Sequence, residues 1–333
     1  MKTYLGIDVG SLTCKIVLID EKNELIFSSY FRTEGNPIGA IQKGLKELEI
    51  WIKNHNPEIE IAGVGTTGSA RHLAGVITGA DLIKNEITAH AKGTTHFIPD
   101  VRTIIEIGGQ DSKFISLDKS GVPNWFNMNS ICSAGTGAFL ASAAREFKVP
   151  IEELGKCARR ATCPVTLTGR CGVFAEADIV SKQQAGYPKE TIIRGMCEAL
   201  AQNYLNNVCR SKRLGQPVIF TGGVALNEGV ADAFTQELAG QVIIHPYAKI
   251  SGALGAAFIA MMREAVGGLN TSFISKADFS SSFFSCSDCA NRCDVSLICR
   301  NGMIVAAMDS RCGKYNNLIG EKLSEAKIPV LFS

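Results

Sequence analysis

The chain has 333 residues, 46% of them hydrophobic and 20% charged, with 34 lysines and arginines against 32 aspartates and glutamates. A formal charge of +2 gives no support for binding nucleic acid or an anionic membrane, and neither a signal peptide nor a membrane-length apolar run is present. We therefore predict a cytoplasmic protein with room for two domains.

The N-terminal third predicts one α/β unit. KTYLGIDVGS, LTCKIVLIDEK and ELIFSSYFRT are apolar or alternating over strand lengths, with turn residues between them, which predicts an antiparallel three-strand meander. NPIGAIQKGLKELEIWIKNHN has apolar residues at helical spacing, and IEIAGVGTTG follows as a buried strand.

The same order of elements recurs in the next part of the chain. VRTIIEIGGQDSKFISLDKSGVPNWFNMN predicts three more strands, AFLASAAREF a helix, and PVIFTGGVALN a core strand that opens into a turn and helix. Two similar lobes would bring their Gly-rich turns to one cleft, a favoured ligand site. We assign residues 1–100 with about 245–266 to lobe I and residues 101–244 to lobe II.

The composition changes after about residue 267. VGGLNTSFISKADFSSSFFS is small, Ser-rich and punctuated by glycine, and we interpret residues 267–285 as a linker. The remaining segment, residues 286–333, is rich in cysteine, and its last residues, KIPVLFS, resemble a strand with nothing after it. That ending suggests the start of a truncated further domain.

Twelve cysteines are many for a cytosolic chain, and metal or redox use is the leading explanation. Cys157, Cys197 and Cys209 lie in helical patterns, where a buried thiol packs as a small apolar group. Cys14 lies inside a candidate phosphate hairpin, so it either packs in the core or takes part in the phosphate site.

The cysteines of the C-terminal segment have the spacing C-x2-C-x3-C-x5-C-x12-C. The close triplet Cys286, Cys289 and Cys293 has metal-ligand spacing, and either Cys312 or Cys299 would be the fourth ligand. Zinc and an iron–sulfur cluster are both compatible with thiolate ligands, so the pattern predicts a metal centre without identifying the metal.

Three stretches predict phosphate binding: DVGSLTCK at 8–15, EIGGQDSK at 106–113, and TGGVALNEGV at 221–230. The first two are a strand end with an acidic residue and a tight Gly turn, and the third opens a helix whose free amides suit an anion or nucleoside. Any one of them alone is explained equally well by a plain hairpin turn. The GxxxxGK[ST] signature is missing, and no GxGxxG opens the first helix.

The order DVGS, IGGQD, AGTG, TGGV, GALGAA resembles the α/β, two-lobed ATPase fold of actin, Hsp70-type chaperones and sugar kinases, with duplicated ribonuclease-H-like lobes. NMNSICSAGTGAFL and RCGVFAEADIV are more specific. They resemble the ATP-dependent activators of 2-hydroxyacyl-CoA dehydratases and the related ATPase subunits of benzoyl-CoA reductases. The resemblance covers roughly residues 1–265.

The resemblance implies a site for ATP or ADP with magnesium. Asp8 and Asp111 would hold Mg²⁺ through water, and Gln110 would orient the attacking water. Glu106 stands where many members have aspartate, and we leave it off the ligand set. The implied nucleotide-binding residues are Gly10, Ser11, Leu12, Thr13, Cys14, Lys15, Gly108, Gly109, Gln110, Gly135, Thr136, Gly137, Gly222, Gly223, Val224 and Asn227.

The resemblance also implies that each subunit of a homodimer donates Cys132 and Cys171 to one shared 4Fe–4S cluster. Both cysteines precede segments that can start helices, whose N-termini would stabilise the cluster's negative charge. Cys163 is a substitute ligand or, as we favour, a bystander. Reduced ferredoxin or flavodoxin would donate the electron, and a dehydratase, an aromatic ring reductase or a double-cluster relative would accept it.

Two other functions stay open from the residues alone. A small-molecule kinase of the same fold is disfavoured because no sugar-binding pattern stands out. A nucleotide-dependent regulatory module would use its cysteine tail only to bind zinc. A brown, oxygen-sensitive dimer would support the activator, and a colourless zinc protein the regulatory module.

Overall fold

The computed structural model describes residues 1–129, 135–168, 172–210, 212–240, 242–262, 269, 271–315 and 318–319. Within these ranges the chain forms two five-stranded sheets and one four-stranded sheet, with helices packed around the first two. None of the helices in this part of the chain is both long enough and apolar enough to cross a bilayer.

The first sheet has the order β3-β2-β1-β4-β5. Its first three strands form an antiparallel meander, as predicted, and β4 and β5 run parallel to β1. The strands are β1 (Lys2–Val9), β2 (Thr13–Asp20), β3 (Leu25–Arg32), β4 (Glu60–Thr67) and β5 (Leu82–Ile83).

Two helices complete the first unit. α1 (Pro37–His55) starts where Asn36 Oδ1 accepts the Gly39 N–H at 2.9 Å, and a proline occupies its first turn. Its buried face, which includes Ile41, packs on the sheet in one apolar core. α2 (Arg71–Thr78) ends at Gly79, which adopts the left-handed conformation.

The second sheet has the order β10-β9-β6-β7-β8. Read from β8, it matches the first sheet strand for strand: an antiparallel meander followed by two strands parallel to its first strand. The predicted repeat of element order is therefore confirmed. The strands are β6 (Thr103–Ile107), β7 (Ser112–Leu117), β8 (Pro123–Asn129), β9 (Val218–Thr221) and β10 (Val242–Ile244).

The helices around the second sheet enclose a large apolar core. Cys157, Cys197 and Cys209 lie in this core with exposures of 3%, 1% and 2%, which confirms the prediction that they pack as apolar groups. The helices are α4 (Gly137–Glu146), α5 (Leu154–Arg159), α6 (Gly172–Gln184), α7 (Lys189–Tyr204) and α8 (Glu228–Glu237).

Two further helices meet between the sheets. α3 (Glu86–Phe97) follows β5, and α9 (Ser251–Met261) returns the chain to the first sheet after β10. The two helices cross in backbone contact, since a Cβ added at Gly255 would lie 1.8 Å from Ala89 O. This crossing places residues of α3 and the start of α9 beside the ends of β1 and β9.

Residues 267–285 were predicted to be a linker, and the structure corrects this prediction for the part of the segment that it describes. It forms α10 (Thr271–Lys276) and β11 (Phe279–Ser285). Gln42 Nε2 on α1 donates to Ala277 O at 2.7 Å, and Ile274 is 6% exposed in the first core. The many serines of this segment masked the one buried apolar residue and the edge strand in the sequence pattern.

The C-terminal sheet is antiparallel, with the order β11-β12-β13-β14. It adds β12 (Asp294–Arg300), β13 (Met303–Met308) and β14 (Leu318–Ile319). The strand-like ending KIPVLFS lies outside the described residues.

Candidate active site

An ion pair stands at the end of β1. Asp8 faces Lys15 across the β1–β2 hairpin, and Lys15 Nζ lies 3.0 Å from Asp8 Oδ2. Burial acts to raise the pKa of Asp8, but the charge and hydrogen bond of Lys15 outweigh it, so that this pKa is lowered. Asp8 is therefore a buried, ionised carboxylate.

The second sheet carries the equivalent pair with more acids around it. Glu106 faces Lys113 across the β6–β7 hairpin, and Lys113 Nζ lies 3.0 Å from Glu106 Oε2. The same ammonium also lies 2.9 Å from Asp111 Oδ2 and 2.8 Å from Glu86 Oε2 on α3. One almost fully buried lysine thus holds three carboxylates together.

The charge balance of this cluster is negative. Burial acts to lower the pKa of Lys113, but Glu106, Asp111 and Glu86 together raise it above its usual range. Burial raises the pKa of Glu106, the most enclosed of the acids. With Asp8 and Lys15 included, four carboxylates face two ammonium groups, so the acids outnumber the cations in this site.

The two turns after these acids are built alike. Gly10 N–H donates to Thr13 O at 2.9 Å, and Gly108 N–H donates to Asp111 O at 3.0 Å. Each turn leaves one tip residue exposed, Ser11 in the first and Gln110 in the second. Two equivalent hairpin turns therefore each expose one polar residue at the tip.

A glycine of positive φ closes each turn from the neighbouring parallel strand. A Cβ at Gly68 (φ +94°) would lie 2.6 Å from Asp8 Oδ1, and one at Gly222 (φ +87°) would lie 2.8 Å from Glu106 Oε1. A side chain at either position would press on the carboxylate, and the backbone conformation also favours glycine. The duplication therefore extends to the residues that shape the two acid sites.

The two turns approach each other across the cleft. A Cβ at Gly109 would lie 2.7 Å from Leu12 Cδ1, so the first turn contacts the second. Thr67, which is aligned with Asp8 across the β1–β4 pair, has a buried hydroxyl with no hydrogen-bond partner among the described residues. An unpaired buried hydroxyl beside Asp8 is consistent with a polar ligand in the cleft.

The start of α4 is tied directly to the second turn. Gly137 N–H donates to Gly108 O at 2.9 Å, and Ala138 N–H donates to Gly109 O at 2.8 Å. Thr136, the N-cap residue of α4, is fully buried. The first two amides of this helix are therefore occupied by carbonyls of the predicted phosphate loop.

The third predicted phosphate segment follows β9. Asn227 caps α8, since its Oδ1 accepts the Val230 N–H at 3.1 Å. Its Nδ2 is buried and has no hydrogen-bond partner within the described part of the chain. Val224 packs near Gly137, with 3.2 Å between Val224 Cγ2 and a Cβ built there. The segment thus joins the cleft, and its unpaired amide is available to a ligand.

A buried chain of hydrogen bonds links α3, α9 and β9. His90 Nδ1 lies 3.1 Å from Ser251 Oγ, which lies 2.7 Å from Thr221 Oγ1. Thr221 Oγ1 donates to Ala248 O at 3.2 Å. Burial and then Lys113 lower the pKa of His90 to about 4, so this imidazole is neutral at neutral pH.

The predicted site residues divide into three groups. Asp8, Lys15, Asp111 and the two turns come together in the cleft, whereas the Cys14 side chain is fully buried in the first core, where burial raises its pKa to about 12. Cys14 can offer the cleft only its backbone. Cys132 and Cys171, the predicted cluster ligands, lie outside the described residues.

Sequence reasoning missed three members of the site. Lys113 stands within a quoted motif, but nothing in the sequence showed that it would join three carboxylates. Glu86 and His90 lie one helical turn apart on α3, a helix that we did not predict. Their spacing in EITAH was the only signal available.

The C-terminal cysteines are only partly gathered. Cys286 and Cys293 are buried, and Cys286 N–H donates to Cys293 O at 2.8 Å, while Arg311 N–H approaches Cys293 Sγ at 3.3 Å. Cys289 and Cys312 are exposed. Across the described ranges, no three His, Cys, Asp or Glu side chains are placed so that they could hold a metal ion. The described geometry therefore does not form the predicted second centre.

Comparison with known proteins places most of the chain. Residues 5–260 match the BadF/BadG/BcrA/BcrD ATPase family. The chain is 35% identical over 257 residues to the activator of lactoyl-CoA dehydratase of Anaerotignum propionicum, covering 77% of this chain and 96% of that one. It is 33% identical over 264 residues to the (R)-2-hydroxyglutaryl-CoA dehydratase activating ATPase of Acidaminococcus fermentans, covering 78% and 98%.

A solved structure agrees with these relatives. The activator of the 2-hydroxyisocaproyl-CoA dehydratase from Clostridium difficile, solved with bound ADPNP, superposes with a TM-score of 0.71 at 30% identity, covering 78% of this chain and 94% of that one. Together with the duplicated strand order, this confirms the predicted two-lobed ATPase fold.

Proposed function

Because the chain belongs to the BadF/BadG/BcrA/BcrD ATPase family, we propose that it is an ATP-hydrolysing activator that passes low-potential electrons to a partner dehydratase or reductase. The observation that carries this proposal is the pair of equivalent acid–lysine hairpins, Asp8 with Lys15 and Glu106 with Lys113, facing one cleft. The relatives named as dehydratase activators support the partner class.

The residues of the cleft fit Mg²⁺ and a polyphosphate. Asp8 and Asp111 would hold the cation through water, and the surplus of carboxylates over ammonium groups would balance its charge. Lys15 and the amides of the two turns receive the terminal phosphates, and Gln110, exposed at the tip of its turn, orients the attacking water.

The remaining nucleotide contacts come from the segments that reach the cleft from the second sheet. Asn227 supplies an unpaired buried amide to the nucleoside. Its neighbours line the same side of the cleft, and the α4 start borders the second turn. The residues involved are Gly135, Thr136, Gly137, Gly222, Gly223 and Val224.

Cys132 and Cys171 are the proposed ligands of a 4Fe–4S cluster shared by two subunits. Thiolate is the ligand that such clusters take in proteins, and two cysteines per chain become four in a two-fold dimer. When bound, the cluster would supply one-electron chemistry at low potential. α6 begins directly after Cys171, and α4 begins five residues after Cys132.

Nucleotide and cluster are coupled through α4 in this proposal. The second turn holds the first two amides of α4 through the carbonyls of Gly108 and Gly109, so a change in phosphate contacts moves the helix that follows Cys132. Nucleotide and partner protein must then bind two arrangements of the lobes with different affinity. Reduced ferredoxin or flavodoxin is the proposed electron donor, and the cytoplasm the proposed location.

ATP hydrolysis by anaerobically purified protein tests this function. Wild-type protein is expected to hydrolyse ATP in the presence of Mg²⁺, and Asp8→Asn to lose that activity, because the cation loses a charged oxygen ligand. Asp118→Asn changes a partly exposed carboxylate in the β7–β8 turn, outside the predicted site, and is the matched control. A wild-type protein that neither hydrolyses ATP nor binds it would overturn the proposal.

A further inference from the structure

His90 is a buried histidine on the face of α3 that carries Glu86, and it belongs to none of the predicted motifs. Its ring lies at the cleft: a Cβ built at Gly252 would be 2.9 Å from Asp8 Oδ2 and 3.3 Å from His90 Nε2. His90 and Asp8 therefore flank the same glycine. Because that glycine has no side chain, nothing from it separates the imidazole from the carboxylate.

The hydrogen-bond chain fixes which ring nitrogen carries the proton. A carbonyl oxygen can only accept a hydrogen bond, so the Thr221 hydroxyl must donate its hydrogen to Ala248 O. Ser251 must then donate to Thr221 Oγ1, because each hydroxyl has one hydrogen. The remaining bond, from His90 to Ser251 Oγ, can only be made by a proton on Nδ1.

A neutral imidazole has a single N–H, so Nε2 of His90 carries a free lone pair. Within the described part of the chain, the hydrogen bond of the His90 ring is made at Nδ1, and none is made at Nε2. The arrangement is also rigid. Ser251 is the first residue of α9, and that helix is locked against α3 by the backbone contact at Gly255. The lone pair is therefore held beside Asp8 by two helices of lobe I, with Thr221 of lobe II at the end of the hydrogen-bond chain.

We infer that His90 is a catalytic residue of the proposed ATPase, whose Nε2 accepts a hydrogen bond from the attacking water, and that Ser251 and Thr221 are positioning residues that hold this tautomer. The inference rests on the proposed function, since it needs a phosphoryl group in the cleft. A water that donates one O–H to Nε2 keeps its oxygen lone pairs free to attack phosphorus.

The reaction itself needs no further reagent. The water oxygen forms a bond to the γ-phosphorus, and the bond from that phosphorus to the β-bridging oxygen breaks with its electron pair remaining on ADP. The water proton leaves to a phosphate oxygen or to solvent. His90 orients the nucleophile and need not retain the proton, which is consistent with catalysis that depends mainly on positioning.

Two substitutions separate the two ring nitrogens. In His90→Asn the side-chain amide can replace Nδ1 as donor to Ser251 but offers no acceptor at the Nε2 position. In His90→Gln the amide oxygen can replace the Nε2 acceptor, but the donor to Ser251 is lost. The inference predicts that His90→Asn lowers kcat on the order of 10²-fold with KM for ATP near the wild-type value. His90→Gln retains most of kcat.

The stabilities of the two variants should follow the opposite order to their kcat values. His90→Asn keeps the buried bond to Ser251 and should unfold at higher urea than His90→Gln. A purely structural role would make activity follow stability, with His90→Asn the more active variant, and that result would overturn the inference. A changed Mg²⁺ requirement with unchanged kcat would instead assign His90 to the metal's water shell and would also overturn it.

A measurement without turnover completes the test. Nitrogen-15 NMR of histidine-labelled protein distinguishes the two tautomers, and the expected His90 signal is that of Nδ1–H with an unprotonated Nε2. An Nε2–H tautomer in the wild-type protein would contradict the inference. If the wild-type protein shows no ATP turnover at all, the proposed function itself is refuted. If the wild type is active and the His90 variants are unaffected, only the inference about His90 is refuted.

Discussion

Asp8 and Glu106 are equivalent residues of the two lobes. Each is paired across an antiparallel hairpin with a lysine seven positions later, and each carboxylate lies 3.0 Å from that lysine. Glu106 is one methylene longer than Asp8, yet it still reaches Lys113. The longer side chain therefore leaves the acid–lysine relationship of the duplicated fold intact.

Removal of the Lys113 ammonium should be costly. In Lys113→Met three carboxylates lose their shared cation in a buried site, and the free energy of unfolding should fall by about 3–5 kcal/mol. Added Mg²⁺ should restore part of this loss, because a cation bound only by the folded state stabilises it. Urea unfolding with and without Mg²⁺ measures both effects.

Lys156→Met is the matched control for that variant. Lys156 and Glu153 form an ion pair 3.0 Å long in which both side chains are about half exposed. Its loss should change the free energy of unfolding by about 1 kcal/mol or less. If the two substitutions lower the free energy of unfolding equally, then the ion pairs of Lys113 do not stabilise the fold more than an exposed pair does.

The link from the second turn to α4 can be broken without breaking the helix. Gly137→Pro removes the N–H that donates to Gly108 O, and proline is tolerated in the first turn of a helix. Thr136 is already extended, as a residue before proline prefers. We expect the variant to lose nucleotide-dependent protection of the α4 amides in hydrogen exchange.

Gly137→Ala is the control, because it adds the same Cβ while retaining the N–H. It should preserve the nucleotide response of α4. If Gly137→Pro and Gly137→Ala respond alike to nucleotide, then the hydrogen bond to Gly108 does not carry the coupling.

Stability should fall in mild acid because of His245. This residue is 1% exposed, its Nδ1 accepts the Tyr247 N–H at 2.9 Å, and its Nε2 lies 3.3 Å from Gly93 O. Burial lowers its pKa to about 4, whereas the unfolded residue titrates near the usual 6.5. Between these values the unfolded chain binds more protons, so the free energy of unfolding decreases as pH falls from about 6.5 to about 4.

The size of this effect is bounded by the pKa difference, at about 3 kcal/mol for His245 alone. His245→Asn keeps an acceptor for Tyr247 N–H but does not titrate in this range, so its stability should depend less on pH than that of the wild type. Urea unfolding across this pH range gives the two slopes. Parallel curves would refute the assignment to His245.

The sequence predicted the parts of the fold that repeat. The two meanders, α1 and the acid-bearing turns follow from local periodicity and glycine placement, which depend on neighbouring residues. Glu86, His90 and Ser251 reach the site from helices distant in sequence, and no local pattern specifies that α3 crosses α9 in backbone contact. The predicted linker was wrong because Ile274 finds a buried position that its serine-rich surroundings conceal.

Native mass and iron content of anaerobically purified protein test the central claim most directly. The account predicts a dimer with about four iron atoms in its shared centre, and loss of that iron in both Cys132→Ser and Cys171→Ser. Monomeric protein without iron that still hydrolyses ATP and fully activates its partner enzyme would contradict the account.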